Sequence, residues 1–214
     1  MLEISVEVIR GTSVWEIVAA VGTAAAAVAT FFAVLVALFG REWWDRRHRP
    51  ILEISYESRE PYCRDTQIII ETHGAKSTVG AYWVRVKVMN EGRATAKGCK
   101  GKMIAVYNDD GNLRQDRDPM LLRWAGMPPD QALHPLDLAR GESQFLDVVF
   151  ARADDHEFAF IAADPTPAGF FKTLEAGQKH KATLAVYADS VEPVTADFVI
   201  TYGGDVDSLK MDWA

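Results

Sequence analysis

The residues whose types could bind a metal or act as acid and base are few and dispersed. No two of the five histidines lie four positions apart, so no helix could present a histidine pair to a metal. The densest polar cluster is Asp154–Glu157, which could be a loop metal site or a solvated turn. Adjacent residues point in different directions and do not converge on one ion, so this pattern favours the turn.

Other chemical motifs are equally weak. The run from Asp109 to Asn112 lacks the 12-residue ligand pattern of a calcium loop and favours a hairpin turn. No Gly-x-Ser-x-Gly elbow and no phosphate-binding Gly-x-x-x-x-Gly-Lys-Ser/Thr loop occurs. We therefore expect a chain with no catalytic residue, no cofactor and no metal. An enzyme that uses the Asp154–Glu157 cluster is the least favoured alternative.

The element that organises the chain is an uncharged run of 24 residues, Ile17–Gly40. A helix of this length would be roughly 36 Å long, enough to cross a hydrocarbon core of about 30 Å. The run is too long for a signal peptide, and no Lys or Arg lies in the first nine residues. The sequence predicts a single transmembrane helix at 13–40, after a short tail at 1–12.

The flanks of this run fit a membrane boundary. Ser13 and Glu16 have the spacing of a capping box at the start of a helix. Tryptophans and arginines then bracket the run, and we expect them at the membrane interface: Trp15, Trp43, Trp44, Arg41, Arg46, Arg47 and Arg49. The alternative for Trp43 and Trp44 is packing on the folded domain.

The distribution of arginines predicts an orientation. One arginine precedes the run and four follow it, so the positive-inside rule places the amino end outside and everything from Arg41 onward in the cytoplasm. We expect a single-pass protein of the cell (inner) membrane. Small residues also align on one helix face and could allow self-association or docking on a partner span: Gly22, Ala26, Ala29, Ala33 and Ala37.

Composition limits the partners of the remaining chain. The first 50 residues hold five Lys/Arg and five Asp/Glu, so the whole net charge of −7 belongs to residues 51–214. An acidic domain repels phosphate backbones, which argues against binding to nucleic acid. Cys63 and Cys99 are too few for a disulfide framework, and the sequence leaves open whether they pair.

Beyond a juxtamembrane linker at 41–50, about eight short segments alternate apolar and polar residues. One such segment has Tyr82, Val84, Val86 and Val88 on one face, and another has Leu146, Val148 and Phe150. Half-buried strands separated by turns predict an antiparallel β-sandwich over 51–214. Residues 119–137 form the one long irregular insertion. The predicted fold class is mainly β, an immunoglobulin-like antiparallel sandwich preceded by one transmembrane helix.

Two local motifs carry a family resemblance. The stretch Val84–Ala96 runs from a strand into Asn90-x-Gly92, then Ala94 and Ala96, and Leu-x-x-Gly-Glu/Gln turns recur at 138–142 and 174–178. Residues 82–202 resemble bacterial and archaeal immunoglobulin-like modules of the CARDB type, found in uncharacterised prokaryotic membrane-anchored proteins. This resemblance implies a non-enzymatic binding or spacer module. CARDB-type modules are mostly exported, whereas the arginines here predict a cytoplasmic domain.

The candidate partner surface lies on the irregular insertion. A long loop that holds apolar residues must pack on the sandwich or present them to a partner, and we place the surface at Trp124, Met127, Pro128 and Pro129, with Trp83 as a second site. The leading hypothesis is a membrane-anchored, non-catalytic protein-interaction or accessory module. The alternative is a membrane-tethered sensor that binds a small ligand or metal in the sandwich loops.

Overall fold

A computed structural model of the chain describes residues 13–72, 75–114, 119–163 and 172–214. The chain divides into two compact units, one up to Arg47 and the other His48–Ala214. The described part of the first unit is a single long helix. The second unit contains all of the described strands.

Helix α1 (Val14–His48) begins at the predicted cap. The Ser13 amide donates to Glu16 Oε2 at 3.0 Å and the Glu16 amide donates to Ser13 Oγ at 3.3 Å, which confirms the capping box. The helix continues through the segment predicted as a linker at 41–50. The arginines do not interrupt it, and it ends two residues before Pro50, whose ring disfavours helical backbone in the residue before it.

The apolar part of α1 is long enough to cross a membrane. Residues Val14–Gly40 have a mean hydropathy of 2.3, and none of them is buried. The hydroxyls of Thr23 and Thr30 donate to the carbonyls of Ala19 and Ala26, at 2.9 and 2.8 Å. Both side chains therefore satisfy their donors within the helix, as apolar surroundings require.

The second unit is built from two six-stranded antiparallel sheets. In the first sheet the order is β1-β3-β7-β8-β9, and β2 lies beside β1 on the same edge of β3. Its strands are β1 (Leu52–Ser55), β2 (Cys63–Thr72), β3 (Ala75–Asn90), β7 (Ser143–Arg152), β8 (Phe158–Ile161) and β9 (Thr173–Glu175).

The second sheet has the order β12-β11-β10-β4-β5, and β6 also pairs with β4. Its strands are β4 (Ala96–Tyr107), β5 (Met120–Leu121), β6 (Leu136–Leu138), β10 (Lys179–Ala188), β11 (Val191–Thr201) and β12 (Lys210–Trp213). The two sheets and the preceding helix confirm the predicted mainly β sandwich. Four short strands, β5, β6, β9 and β12, show no alternating pattern of their own and are not predicted from the sequence.

The core lies between the inner faces of the two sheets. Alternate residues of β3 are fully buried at Val84, Val86 and Val88, as the period-two pattern predicts. The sheets approach closely at Gly101, where a Cβ atom would lie 2.1 Å from Leu146 Cδ2. Only glycine fits at this point of β4.

Asn90 organises the corner at which the chain passes from β3 to β4. Its Oδ1 accepts hydrogen bonds from the amides of Ile51 and Gly92, and its Nδ2 donates to the carbonyls of Ala94 and Leu138, with all four distances between 2.7 and 3.2 Å. The side chain is fully buried. The asparagine of the Asn-x-Gly motif thus holds three separate chain segments together.

Gly92 serves the same corner through its lack of a side chain rather than through a left-handed backbone. Its φ is not positive. Instead, a Cβ atom would lie 2.3 Å from the Ile51 amide nitrogen and 2.5 Å from Pro50 Cα. Glycine is needed here because the backbone at Pro50 and Ile51, just before β1, passes directly over this position.

The two Leu-x-x-Gly-Glu/Gln segments form equivalent turns. Each carries the chain from a short strand of one sheet into a long strand of the other, β6 to β7 and β9 to β10. Gly141 and Gly177 have positive φ, and their amides donate to the carbonyls of Asn90 and Tyr202, at 2.8 and 2.7 Å. Leu138 and Leu174 are buried beside them. The recurring sequence therefore encodes a recurring turn within one sandwich.

Candidate functional site

The predicted partner surface lies on the segment we call the strap, residues 120–138, which joins the two sheets. Its first part forms β5 on β4 of the second sheet. Its middle crosses to β7 of the first sheet, where the Asp147 amide donates to the Arg123 carbonyl and the Ala125 amide donates to the Phe145 carbonyl, at 2.9 and 2.8 Å. It then returns to β4 as β6. The insertion therefore closes one side of the sandwich.

Trp124 is a core residue, which corrects its assignment to a partner surface. Its side chain is only 2% exposed, and its amide donates to the Ala132 carbonyl at 2.7 Å. Burying a tryptophan where the strap crosses between sheets fixes the strap by the hydrophobic effect. Met127 is half-buried and packs against the core, so only Pro128 and Pro129 remain exposed.

Trp83 lies on the outer face of the first sheet, in a row of stacked aromatic rings. Its ring is 4.4 Å from that of Phe150 with an interplanar angle of 18°, and Phe150 is 5.4 Å from Phe160 with an angle of 25°. The Arg152 guanidinium lies 5.5 Å over the Phe160 ring. The row is half-buried and borders a shallow cavity of about 270 Å³. Trp83 is therefore partly accessible, as the sequence predicts.

The sequence analysis placed Phe150 on the wrong face. Alternation puts it with Leu146 and Val148, but the β3–β7 register shifts by one residue between Val84 and Arg85. Val148 and Val149 are both fully buried, and Phe150 moves to the outer face beside Trp83. A bulge of this kind gives no signal in the period-two pattern.

An ion pair lies next to the aromatic row. Arg85 Nε donates to Asp147 Oδ1 at 2.7 Å, and the two side chains are only 15% and 11% exposed. Burial raises the pKa of Asp147 by more than the Arg85 charge lowers it. The pair joins the adjacent strands β3 and β7 at the bulge.

In the Asp154–Glu157 cluster, the carboxylates of Asp154 and Asp155 accept hydrogen bonds that form a turn. Arg152 donates two hydrogen bonds to the Asp154 carboxylate and lowers the pKa of that group. Asp155 Oδ1 accepts from the amides of Glu157 and Phe158. Within the described ranges, no group of three or more His, Cys, Asp or Glu side chains could hold a metal ion. The cluster therefore has the geometry of the turn that the sequence favours.

A groove lies at one end of the second sheet, where the turn at 108–112 meets β10 and β11. Its volume is about 510 Å³, and it is lined in part by Tyr107, Asp109, Lys179, Lys181 and Asp197. Asp109 Oδ2 accepts from the Lys179 amide at 3.2 Å, and Lys181 Nζ lies 3.7 Å from Asp197 Oδ2. Sequence reasoning missed this groove because its residues come from three separate segments.

His180 is a buried titratable group that no motif indicated. It is fully buried, and in the described part of the chain neither ring nitrogen has a hydrogen-bond partner. Burial lowers the pKa of His180, and the Arg114 charge lowers it further. The ring is therefore neutral at pH 7.

The two cysteines are free and buried, Cys63 in the first sheet and Cys99 in the second. Burial raises the pKa of Cys99 to about 11, so its thiol is protonated at neutral pH. With its pKa raised in this way, the thiol is a poor nucleophile.

The residues predicted at the membrane boundary are described in part. Trp15 is 80% exposed at the first turn of α1, and Arg49 is exposed after its end. The small-residue face of α1 is exposed at Gly22, Ala26, Ala29, Ala33 and Ala37. The side chains of Arg41, Trp43, Trp44, Arg46 and Arg47 lie outside what the structure describes.

Comparison of the chain with protein-family models, with curated proteins and with solved structures found no match. The resemblance to CARDB-type modules therefore stays a prediction.

Proposed function

We propose that this chain is a single-pass membrane protein whose β-sandwich is a non-catalytic protein-interaction or accessory module. The observation that carries the proposal is the apolar part of α1. Its 27 residues have a mean hydropathy of 2.3 and none is buried, so water would contact every turn of a soluble form. A bilayer removes the free-energy cost of exposing these apolar side chains to water. The hydroxyls of Thr23 and Thr30 donate to helix carbonyls, so they need no water in a bilayer.

The orientation follows from the same proposal. Arginines follow the span at positions 41, 46, 47 and 49, whereas Arg10 alone precedes it. The positive-inside rule places the sandwich in the cytoplasm. The reduced, buried cysteines are compatible with that compartment, in which thiols stay unpaired.

The aromatic row on the outer face of the first sheet favours an interaction module. Asp154 and Asp155, in the densest polar cluster, are engaged in a turn and an ion pair, whereas the outer face of the first sheet carries the half-buried row of Trp83, Phe150 and Phe160. Aromatic side chains are enriched in protein interfaces because they bury large areas at a small entropic cost.

Alkaline carbonate extraction of membranes tests the anchor. The full chain should remain in the pellet, and a variant with Val28→Asp and Phe32→Lys should be released. Replacing the same residues by leucine is the matched control and should leave the chain in the pellet. Release of the unmodified chain would exclude the anchor. Protease protection of sealed vesicles then reports on which side the sandwich lies.

The groove of about 510 Å³ favours a second candidate, a membrane-tethered sensor of a small polar ligand. Its lining combines lysines, carboxylates and a tyrosine ring, which could position a hydroxylated or zwitterionic compound. A thermal-shift screen of metals and metabolites on the full chain in detergent tests this candidate. A stabilising compound whose effect is lost in Lys179→Ala, and kept in Lys100→Ala at the opposite end of the second sheet, would support it. A screen without such a compound would remove it.

A further inference from the structure

The β2 strand leaves a long backbone edge open. Among the described residues, β2 pairs with β3 alone, over ten residue pairs from Cys63–Val84 to Thr72–Ala75. The other side of β3 is occupied by β7 only from Ala81 to Met89. The part of the β2–β3 hairpin beyond Ala81 is therefore a two-stranded ribbon.

This ribbon exposes apolar side chains. Its β2 strand carries Ile68, Ile69 and Ile70 in succession, and Ile69 is 72% exposed, while its two neighbours are half-buried. A two-stranded ribbon is only marginally stable alone, and an exposed strand edge rich in β-branched residues is prone to pair with another strand.

Among the described strands, β11 also has a long open edge, at residues 191–197 beyond its pairing with β12, but Glu192 and Pro193 disfavour strand addition there. The described strands at the other sheet edges, β1, β5, β6, β9 and β12, are two to four residues long. The β3 side of the ribbon carries Lys76, Ser77 and Thr78, and all three are exposed. Lysine and short polar residues discourage strand addition. Among these edges, β2 is the one that combines length with three consecutive isoleucines, which are flanked by the polar residues Gln67 and Glu71.

We infer that the β2 edge is an interface for a second copy of this chain, which adds its own β2 antiparallel about a two-fold axis through Ile69. In this register Ile69 faces Ile69 of the second copy, Ile68 faces Ile70, and Gln67 faces Glu71. Apolar pairs of this kind stabilise antiparallel strands. An axis through Ile68 would instead place Asp65 opposite Glu71, and an axis through Gln67 would place Asp65 opposite Ile69.

The pairing of two ten-residue strands buries less surface than a stable dimer in dilute solution needs. The inference therefore rests on the proposed membrane anchor, which confines both copies to one plane and raises their effective concentration. Joined in this way, the first sheets of two copies form one continuous sheet.

Disulfide trapping in native membranes tests the register. The full chain with Ile69→Cys is oxidised with copper phenanthroline, and a covalent dimer should form, because facing residues of paired strands have Cα atoms about 4.5–5.5 Å apart. The matched control is Glu71→Cys, exposed on the same edge. Its two copies would be four residues apart along the strands, about 13 Å, and should not cross-link. The native cysteines are buried, and the unmodified chain measures their background.

The expected result is a dimer yield for Ile69→Cys at least tenfold above that for Glu71→Cys, with unchanged melting temperatures for both variants. Equal yields would mean random collision and would overturn the inference, as would the absence of dimer in chains that stay in the carbonate pellet. If the chain leaves that pellet, the proposed anchor fails instead. Trapping is then repeated on the purified chain at high concentration, where the same two yields decide whether β2 pairs.

Discussion

Replacement of Asn90 by alanine should strongly destabilise the corner between β3 and β4. The substitution removes four hydrogen bonds, two accepted by Oδ1 and two donated by Nδ2. At a net value of about 1 kcal/mol for each bond, the loss is roughly 4 kcal/mol. Water can reach the part-buried partners at Ile51 and Ala94, so we expect a decrease of about 3 kcal/mol in the free energy of unfolding.

The assay is urea unfolding of the full chain in detergent, followed by tryptophan fluorescence, with the free energy extrapolated to zero denaturant. Asn112→Ala is the matched control, since Asn112 lies in an exposed turn, and its effect should stay within about 0.5 kcal/mol. An Asn90→Ala effect below about 1 kcal/mol would show that the three segments are held together without this side chain, and our explanation of the Asn-x-Gly motif would be wrong.

Three further predictions concern the core and its charges. Gly101→Ala should lower the free energy of unfolding by about 2 kcal/mol in urea, because the new Cβ overlaps Leu146. In the double variant Leu146→Ala should relieve part of that loss. Losses that simply add would contradict the close contact between Gly101 and Leu146. Arg85→Ala should lower the free energy of unfolding by about 3 kcal/mol, because it leaves the Asp147 carboxylate buried and unpaired. Arg59→Ala removes the exposed Arg59–Glu57 pair and should have no measurable effect. Equal losses in the two variants would show that burial does not make the Arg85–Asp147 pair more important. The pKa of His180 is lower in the folded chain than in the unfolded chain, so on acidification the unfolded chain takes up the proton at higher pH. The free energy of unfolding should therefore fall as the pH drops below about 6.5, by at most about 1.4 kcal/mol per pH unit. His180→Leu should flatten this slope. Asp147 has a raised pKa and acts in the opposite direction, since protonation at acidic pH relieves its burial; a pH slope unchanged in His180→Leu would exclude His180 as the source.

Local rules in the sequence predicted the parts of the structure that depend on local chemistry. The Ser13–Glu16 cap and the positive-φ glycines Gly141 and Gly177 act within a few residues of the backbone they shape. Strand alternation likewise found the buried face of β3. These features need no knowledge of what packs against them.

The errors came where distant segments decide the outcome. The bulge at Val148 is set by pairing with β3, so alternation placed Phe150 on the wrong face. Trp124 is buried because the strap crosses between both sheets, a path that its irregular sequence does not reveal. The short strands β5, β6, β9 and β12 exist only through pairing with longer neighbours.

The depth of α1 in a bilayer is the most direct test of the membrane anchor. A nitroxide attached at Ala27→Cys, at the middle of Val14–Gly40, is compared by electron paramagnetic resonance with labels at Trp15→Cys and at Asn112→Cys in the exposed turn. We predict that oxygen reaches the label at position 27 far more readily than a water-soluble nickel complex does, that position 15 is intermediate, and that the nickel complex dominates at position 112. Equal nickel access at positions 27 and 112 would place the helix in water and contradict the anchor.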